Sequence, residues 1–335
     1  MIDLLVVGDI HAEPHDLEDC ERLFRLIQKT AEENRVDAVL YLGDQNNNHD
    51  VTSVAVLSFY RRWFAALARR QIAIKGNHDQ SDPTRSFPHA MSAYGDLIEV
   101  VDEPTIIAPG VGALPYYFDS VELVREENAL SEKMVAPPLS YLYCHATILG
   151  ARYENGFFAK DAVDAALLRA PQIGCGHIHT PQKVGDRVTY FGSPRWRTLG
   201  DASVKRRAIW IVRHSDTGSV VSMSAVSTIG TCRRILRMED RPDAPMEHPD
   251  HGDIDRLHVK IYGTPARIKE RTELLKAKYK HVSIQGVPER VRAPEVRESE
   301  GVVKGFERFA DVFVPPHGSS PGSVRQLVRD KVVWA

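Results

Sequence analysis

The first 80 residues repeat one pattern, in which a short apolar segment alternates with an amphipathic stretch. Residues 3–7 (DLLVV), 36–42 (VDAVLYL) and 71–75 (QIAIK) are almost wholly apolar, as strands buried on both faces are. Between them, apolar residues at steps of three and four predict two helices, from Leu17 to Ala31 and from Val54 to Leu67. This order of strands and helices is typical of a layered α/β domain.

Each of these three strands ends at a glycine that is followed by side chains able to bind a metal. The endings read GDIH, GDQN and GNHD. Glycine allows the backbone to turn sharply, and ligand sites in such sheets lie beyond the carboxyl ends of the strands. A later strand, 141–147 (YLYCHAT), brings a further histidine to its end, and GCGHIHTP (174–181) brings two. Residues two apart in extended backbone face the same side, so His177 and His179 are expected to reach one spot.

Together these endings supply seven candidate ligands, which are too many for one ion but suit two. They are Asp9, His11, Asp44, Asn77, His145, His177 and His179. Carboxylate, amide and imidazole ligands without thiolate favour Mn²⁺, Fe or Zn²⁺ over Ca²⁺ or a structural zinc. Asp44 follows the middle strand and is therefore the natural bridge between two cations. Two cations about 3.5–4 Å apart suit hydrolysis of phosphate esters.

Each motif taken alone also has a plain structural interpretation. A lone histidine such as His145 is more often a satisfied core residue, and His177 with His179 could lie on a surface strand. Cys144 and Cys175 neighbour these ligands, but small buried strand residues are the simpler interpretation. Only the ordered series of all seven candidates favours a dimetal site.

Composition excludes several other classes of protein. The four cysteines form no CxxC, so they predict neither a disulfide framework nor a zinc ribbon. No apolar run approaches the about 18–20 residues of a membrane span, and acidic residues stand where a signal peptide has a basic leader. We therefore expect a cytoplasmic protein with no membrane association. The net charge of −2 does not by itself indicate a nucleic-acid partner.

The rest of the chain predicts a second, smaller module. Further strands are expected at 188–194 (VTYFGSP) and 208–212 (AIWIV), closing the same sheet system. A charged, proline-rich stretch follows, and then a strand at 257–263, a helix from Pro265 to about Lys280 and another strand, with a terminal helix near Pro321. We predict an α/β fold of β-sheets flanked by helices over residues 1–235, a linker over 236–253, and an α+β capping domain over 254–335.

In this order, GDxH, GD, GNHD, a lone histidine on a later strand and GHxH resemble the motifs of calcineurin-like metallophosphoesterases. The runs 112–117 (GALPYY), 144–151 (CHATILGA) and 176–212 resemble, more narrowly, the SbcD-type DNA-repair exonucleases. The resemblance implies one metal bound by Asp9, His11, Asp44 and His179, and a second bound by Asp44, Asn77, His145 and His177. It also implies that His78 protonates the leaving 3′ oxygen and that Asp79 orients His78 by hydrogen bonding.

The same resemblance implies the cofactors and partners. These are two divalent ions, Mn²⁺ first with Mg²⁺, Fe or Zn as alternatives, a DNA substrate, a homodimer, and an SMC-like ABC ATPase of the SbcC type. No GxxxxGK[ST] occurs, so the ATPase is expected on another polypeptide. The capping domain would guide DNA, the terminal helix would bind the ATPase, and Arg195 and Arg197 would contact the phosphate backbone. The loop GDQNNNHD departs from the family pattern, which leaves the role of His49 open.

Two other functions compete with this DNA exonuclease or endonuclease. A stand-alone phosphatase or small-molecule phosphodiesterase would use the same site and be indifferent to DNA. A DNA-end-binding scaffold would have lost catalysis, against which the complete ligand set argues. The run from Gly176 to Val212 and the appended module favour the nuclease over the small-molecule enzyme.

Overall fold

The computed structural model describes residues 1–204, 206–244, 256–279 and 281–288. Its strands are β1 (Ile2–Val7), β2 (Ala38–Tyr41), β3 (Arg70–Ile74), β4 (Gln80–Asp82), β5 (Arg85–His89), β6 (Glu99–Val101), β7 (Thr105–Ala108), β8 (Val111–Leu114), β9 (Tyr141–His145), β10 (Gln172–Gly176), β11 (Gln182–Val184), β12 (Val188–Tyr190), β13 (Ala208–His214), β14 (Val220–Ser227), β15 (Ile235–Asp240), β16 (Arg256–Gly263) and β17 (Val282–Pro288). Its α-helices are α1 (Leu17–Glu33), α2 (Val54–Ala66), α3 (Ser120–Lys133) and α4 (Pro265–Lys278), and short 3₁₀ turns lie at Ala90–Tyr94, Ala165–Leu167 and Leu199–Ser203.

The first sheet is built on the repeated unit of the first 80 residues. Its strand order is β14-β13-β1-β2-β3-β6. The pairs β1–β2, β2–β3 and β3–β6 are parallel, so the carboxyl ends of β1, β2 and β3 lie at one edge. The strands β13 and β14 complete the sheet in antiparallel fashion beside β1.

A second six-stranded sheet has the order β11-β12-β10-β9-β8-β7. The central strands β8, β9, β10 and β12 are parallel, and β7 and β11 pair antiparallel at the two edges. Residues 188–194 and 208–212 are predicted from the sequence to close one sheet system. The structure instead places β12 in this second sheet and β13 in the first.

The two sheets pack face to face, with helices on both outer surfaces. One apolar cluster joins side chains of both sheets, such as Leu40 of β2 and Tyr143 of β9. Alternate residues of β2 face outward, where Tyr41 packs with Phe24 of α1. Helix α3 covers the outer face of the second sheet through Leu130. Because each central strand is covered on both faces, its sequence is continuously apolar. The predicted α/β class of sheets flanked by helices is confirmed.

The small module is an α+β arrangement whose described part contains one three-stranded sheet and α4. The sheet order is β15-β16-β17, and the core includes Leu257, Val259 and Ile261 of β16 with Leu275 of α4. Thr264 caps α4 by accepting a hydrogen bond from the backbone N–H of Arg267, as the sequence predicted.

The predicted boundaries of the two domains and the linker remain a prediction. Strand β15 occupies the first residues of the stretch predicted as a linker and pairs in parallel with β16. The predicted helix near Pro321 lies outside the described residues. None of the described helices combines the length and apolar character needed to cross a bilayer.

Candidate metal centre

The carboxyl ends of the two sheets meet at one place and bring the seven predicted ligands together. In the first sheet, Asp9 and His11 follow β1, Asp44 follows β2 and Asn77 follows β3. In the second sheet, His145 is the last residue of β9, while His177 and His179 follow β10. The site is therefore formed where two parallel arrays of strands end, and neither sheet supplies all of it.

A first group of ligand atoms surrounds His11. Its Nε2 atom lies 3.0 Å from Nε2 of His179 and 3.4 Å from Oδ2 of Asp44. Asp9 is fully buried, and its Oδ1 atom accepts a hydrogen bond of 2.8 Å from the backbone N–H of His177 and lies 3.4 Å from Nδ1 of His145. The other oxygen, Oδ2, has no hydrogen-bond partner among the described residues.

A second group centres on Asn77. Its Oδ1 atom lies 2.8 Å from Nδ1 of His177 and 3.0 Å from Nε2 of His145. These two ring nitrogens are 3.2 Å apart, and Oδ2 of Asp44 lies 3.3 Å from Nε2 of His145. The same Asp44 oxygen thus borders both groups, which is the position predicted for a bridging carboxylate.

These spacings fit the binding of divalent cations. Ligands about 2.1 Å from a common cation lie about 3.0–3.4 Å from one another, depending on whether the geometry is octahedral or tetrahedral. The separations among the ligand atoms of His11, His179, Asp44, His145 and His177 fall in this range, and the 2.8 Å between Oδ1 of Asn77 and Nδ1 of His177 is slightly shorter. The unpartnered, buried Oδ2 of Asp9 would be costly without a cation. The residues present therefore fit a two-metal site.

Burial and mutual charge set the protonation of these groups. Burial would raise the pKa of Asp44, but His145 and His11 outweigh it and hold that pKa well below its usual range. Burial would lower the pKa of His145, but Asp44 and Asp9 raise it to about 10. Burial and the neighbouring His145 lower the pKa of His177 to about 3, so its ring is neutral near pH 7. Such strongly perturbed groups are typical of a functional site.

Backbone contacts fix the orientation of His145. Its Nδ1 atom lies 2.7 Å from the carbonyl oxygen of Leu42, so Nδ1–H donates this bond. In the neutral ring, Nε2 then carries the lone pair, and this is the atom that faces Asn77 and Asp44. The carbonyl thus selects the tautomer that a metal ligand requires.

The turns that carry the ligands have unusual backbone conformations. His11, Asp44 and His177 have positive φ angles of 48°, 51° and 79°, in the left-handed region that non-glycine residues seldom adopt. Gly43, at φ 107°, leaves no room for a side chain, because an added Cβ would lie 2.4 Å from Nδ1 of His145. An added Cβ on Gly76 would lie 2.2 Å from Oδ1 of Asp44. These glycines allow the strand ends to approach one another.

The site is closed on one side and open on the other. Asp9, His11, Asp44 and His145 are at most 1% exposed. The remaining candidate ligands, Asn77, His177 and His179, are only partly buried, as is His78. A substrate can therefore approach only from the side of these partly exposed groups.

His78 lies at the open side, but it is not oriented as the sequence analysis expected. Its ring is 4.7 Å from that of His11, and its backbone N–H donates to Oδ1 of Asp44. Its Nδ1 atom lies 2.6 Å from the carbonyl oxygen of Asn47. Asp79 instead accepts hydrogen bonds from the backbone N–H groups of Asn46 and Gly76. The prediction that Asp79 orients the His78 ring is therefore wrong, because Asp79 braces the two strand-end turns against each other.

Arg195 does not contact substrate either, because it is a buried structural residue. It is 1% exposed, pairs with Asp16 at 2.6 Å and with Asp19 at 3.4 Å, and donates to the carbonyl oxygens of Ile10 and His11. Its guanidinium thus holds the turn after β1 against the start of α1. The prediction of a phosphate contact is wrong for this residue.

Arg197 and His49 lie beside His78. Arg197 is partly buried and donates to the side-chain oxygen of Asn47, whose carbonyl faces His78. The His49 ring stacks on that of His78 at 4.5 Å with an angle of 22° between their planes. The unusual loop GDQNNNHD therefore forms the wall behind His78. A phosphate contact by Arg197 remains a prediction.

Three further residues of the site were not predicted from the sequence. Glu154 accepts a hydrogen bond of 2.7 Å from the backbone N–H of His179, and Tyr116 stacks on His177 with ring centroids 5.9 Å apart. Arg207 is 1% exposed, pairs with Asp201 and donates to the carbonyl of His179. Tyr116 lies in the run 112–117 and Arg207 in the run 176–212, both of which carry the resemblance to the SbcD-type exonucleases, whereas Glu154 lies in none of the runs that carry it.

The layered fold and the paired ligand groups are those of a metal-dependent phosphoester hydrolase. The family model of the calcineurin-like phosphoesterases matches residues 2–181, more than half of the chain. The chain therefore belongs to the calcineurin-like metallophosphoesterases, a family that uses a dimetal centre. No curated protein matches the chain.

Proposed function

We propose that this chain is a Mn²⁺-dependent DNA nuclease that hydrolyses phosphodiester bonds as an exonuclease or endonuclease in DNA repair or end processing. The observation that carries the proposal is that Asp44 borders both groups of candidate metal ligands. These groups lie at the open side of the site, and His78 lies beside them. The resemblance of residues 176–212 to SbcD-type nucleases, and the module after residue 235, support DNA rather than a small ester as the substrate.

Seven residues of the site would bind the two cations. Asp9, His11, Asp44 and His179 would hold one cation, and Asp44, Asn77, His145 and His177 would hold the other. When bound, two divalent cations clamp the phosphate oxygens and make water a nucleophile at neutral pH. Nitrogen and oxygen ligands without thiolate are compatible with Mn²⁺.

His78 would serve as the acid for the leaving 3′ oxygen. The carbonyl of Asn47 accepts the Nδ1–H of this ring, which leaves Nε2 as the atom that can carry the transferred proton. The stacked His49 ring restricts the rotation of His78 and keeps its other edge towards the site.

The proposal includes the partners that the sequence resemblance implies. The chain would act as a cytoplasmic homodimer, as the nuclease subunit that an SMC-like ABC ATPase controls. The described module with β15, β16, β17 and α4 would guide DNA to the metal centre. The helix expected to bind the ATPase lies outside the described residues.

The experiment that tests this function compares three substrates. Purified protein with Mn²⁺ is given end-labelled duplex DNA, end-labelled single-stranded DNA and a generic phosphomonoester. We expect labelled nucleotides or short fragments from DNA. Hydrolysis of the monoester alone would favour a phosphatase, and the His78→Ala variant should lose cleavage while retaining bound metal.

A further inference from the structure

A hairpin over residues 150–159 lies beside the metal centre. Ala159 donates its backbone N–H to the carbonyl of Ala151 at 2.8 Å, and Arg152 pairs with Phe158 in antiparallel fashion. At the tip, Gly156 donates to the carbonyl of Tyr153, and Gly156 has a φ of 88°. A turn followed by a left-handed glycine is a common way to close a short hairpin. The segment is therefore an ordered element rather than an irregular loop.

Both ends of this hairpin are fixed to the protein. At its base, Ala151 and Ala159 are buried in the apolar cluster of the second sheet. The side chain of Gln182 accepts a hydrogen bond from the N–H of Arg152 and donates one to its carbonyl. Near its tip, Glu154 accepts the hydrogen bond from the N–H of His179. The hairpin thus has a defined position relative to the candidate metal ligands.

Two consecutive phenylalanines on the returning arm of the hairpin are exposed. Phe157 is 72% exposed and Phe158 is 62% exposed. Consecutive residues of an extended strand point to opposite faces, so the exposure of both shows that this arm projects from the surface. A single exposed apolar residue is ordinary, but a projecting aromatic pair on an anchored hairpin indicates a ligand.

Chain geometry limits how far these rings lie from the centre. Phe157 and Phe158 are three and four residues from Glu154, and a chain spans at most about 3.5 Å per residue. Their backbones therefore lie within about 10–14 Å of Glu154. Stacked nucleotides of one strand are about 3.4 Å apart. This upper limit corresponds to at most about four nucleotides from a phosphate that lies beside Glu154.

We propose that Phe157 and Phe158 stack on unpaired bases of the substrate strand, within about four nucleotides of the bond that is cut. Every base has a flat face that stacks on an aromatic ring, so the contact needs no particular sequence. Bases in an intact duplex are already stacked on their neighbours. The pair therefore selects single strands and frayed or overhanging ends. This inference rests on the proposed nuclease function.

The test measures binding and small-ester hydrolysis separately. Affinity is determined by fluorescence anisotropy for a single-stranded oligonucleotide with a phosphorothioate at the cleavage position. A matched oligonucleotide lacks the bases within about four nucleotides of that position. The proteins compared are the unchanged chain, Phe157→Ala/Phe158→Ala, Phe157→Trp/Phe158→Trp, and Val221→Ala, which changes an exposed residue of β14. Hydrolysis of bis(p-nitrophenyl) phosphate checks the metal centre in each protein.

We expect the double alanine variant to bind the complete oligonucleotide about 10-fold or more weakly. Its affinity should equal that of the unchanged protein for the base-free oligonucleotide. The tryptophan variant should restore binding, Val221→Ala should have no effect, and all four should hydrolyse the small diester equally.

The stacking proposal fails if the alanine variant binds the complete oligonucleotide as tightly as the unchanged protein does. A hairpin used only to dock another protein would give this result. Equal affinity of the unchanged protein for the complete and base-free oligonucleotides would overturn it as well. A different result, hydrolysis of the diester with no affinity for any oligonucleotide, would refute the nuclease function itself and the stacking proposal with it.

Discussion

Asp44 is the residue on which the candidate centre most depends. One of its oxygens borders both ligand groups, and the other accepts the backbone N–H of His78. His145 and His11 keep its pKa low despite complete burial, so the carboxyl is ionised at neutral pH. The same side chain therefore supplies the shared negative charge and positions the turn that carries the proposed acid.

We predict that Asp44→Asn will abolish binding of at least one cation per chain and severely reduce hydrolysis of a small diester. The amide removes the negative charge between the two groups, and the loss should exceed the about 10–100-fold that removal of an outer hydrogen-bond partner costs. Metal content by atomic spectroscopy and the rate with Mn²⁺ measure the effect. Asp186→Asn, in the exposed turn before β12, is the control. Two cations per chain in Asp44→Asn would contradict the bridging role.

Glu154 is a positioning residue that binds no metal in the proposed arrangement. It accepts the N–H of His179 and so fixes the backbone from which that ring extends. We predict that Glu154→Ala will weaken Mn²⁺ binding about 10-fold or more, measured by isothermal titration, with the fold unchanged by circular dichroism. Glu154→Gln keeps an oxygen acceptor and should recover most of the affinity. Equal weakening in both variants would show that the charge, rather than the hydrogen bond, matters.

At the scale of secondary-structure elements, the turns after the strands position the candidate ligands as much as the strands do. Gly43 adopts a φ of 107° and lies where a Cβ would collide with the His145 ring. Gly185, between β11 and β12, also has a positive φ, 58°, but a Cβ there would meet no atom within 4 Å. Substitutions at these two glycines therefore distinguish the cost of a left-handed backbone from the cost of steric overlap.

We predict that Gly43→Ala will be more destabilising than Gly185→Ala and will also weaken metal binding. Each substitution places a side chain in the left-handed region, at about 1–2 kcal/mol, and only Gly43→Ala displaces a ligand ring. Urea denaturation gives the free energy of unfolding, and calorimetric titration gives the Mn²⁺ affinity. Equal losses of stability, with unchanged Mn²⁺ affinity, would show that the turn tolerates the overlap.

In the small module, Asp240 at the end of β15 fastens α4 to the sheet. It is fully buried and bonded to Arg267 at 2.8 Å and to Arg271 at 2.6 Å. Burial would raise the pKa of Asp240, but hydrogen bonds from Arg271 and Arg267 outweigh it and hold that pKa below its ordinary value. A carboxyl with a lowered folded-state pKa stabilises the fold above the pKa of the unfolded chain. This contribution is lost as the pH falls through the folded-state pKa.

We predict that Asp240→Asn will lower the free energy of unfolding by about 1.5–3 kcal/mol at neutral pH. The difference from the unchanged protein should shrink as the pH falls below about 3.9, the pKa of an unperturbed aspartate. Urea denaturation across this pH range measures both effects. Glu239→Gln, which breaks the exposed pair with Arg241, should change neither. A pH-independent difference would mean that the charge of Asp240 does not hold α4.

At the scale of the whole molecule, the candidate centre joins two sheets that also meet through an apolar cluster and through hydrogen bonds such as those of Tyr143 with His214 and of Arg70 with the carbonyl of Ile107. The first sheet supplies Asp9, His11, Asp44 and Asn77, and the second supplies His145, His177 and His179. Cations held between them would therefore tie the ends of both sheets together. Without cations, buried carboxylates and closely spaced ring nitrogens face one another.

We predict that chelation will lower the thermal stability of the chain and that Mn²⁺ will restore it. A ligand present at 100 times its Kd stabilises the folded state by about 2.7 kcal/mol, which is several degrees in Tm. Differential scanning calorimetry with EDTA and with added Mn²⁺ measures the change. His78→Ala should show the same shift, since His78 is not a proposed ligand. A Tm unaffected by chelator would mean that no cation bridges the sheets.

Much of the first sheet and of the ligand set could be predicted because the relevant information is local. Apolar runs of strand length, helical periodicity and the repeated Gly-Asp or Gly-Asn endings lie within short windows of sequence. Parallel strands place such endings at one edge, which is why separate motifs could be combined into one site. The family match confirms the fold class that this pattern predicted.

Some elements carried a sequence signal too weak to recognise. Helix α3 was not predicted, because only Leu123, Glu127 and Leu130 are buried and most of its other residues are polar. The buried Glu127 is stabilised by accepting the backbone N–H groups of Arg169 and Ala170, which lie far along the chain. Strand β14 is largely exposed and also lacks the apolar run of a central strand.

By itself, the sequence determined the layered α/β class and the seven candidate ligands. The spacing of apolar residues and the motifs at the strand ends can both be recognised within short stretches of sequence. Only the tertiary structure decided that two sheets share the centre and that Arg195 and Arg207 are buried supports. It also decided that Asn47 rather than Asp79 contacts the His78 ring. The reason is physical: an arginine or a carboxylate has the same local sequence whether it faces solvent or a distant partner. Its role depends on contacts between residues that only folding brings together.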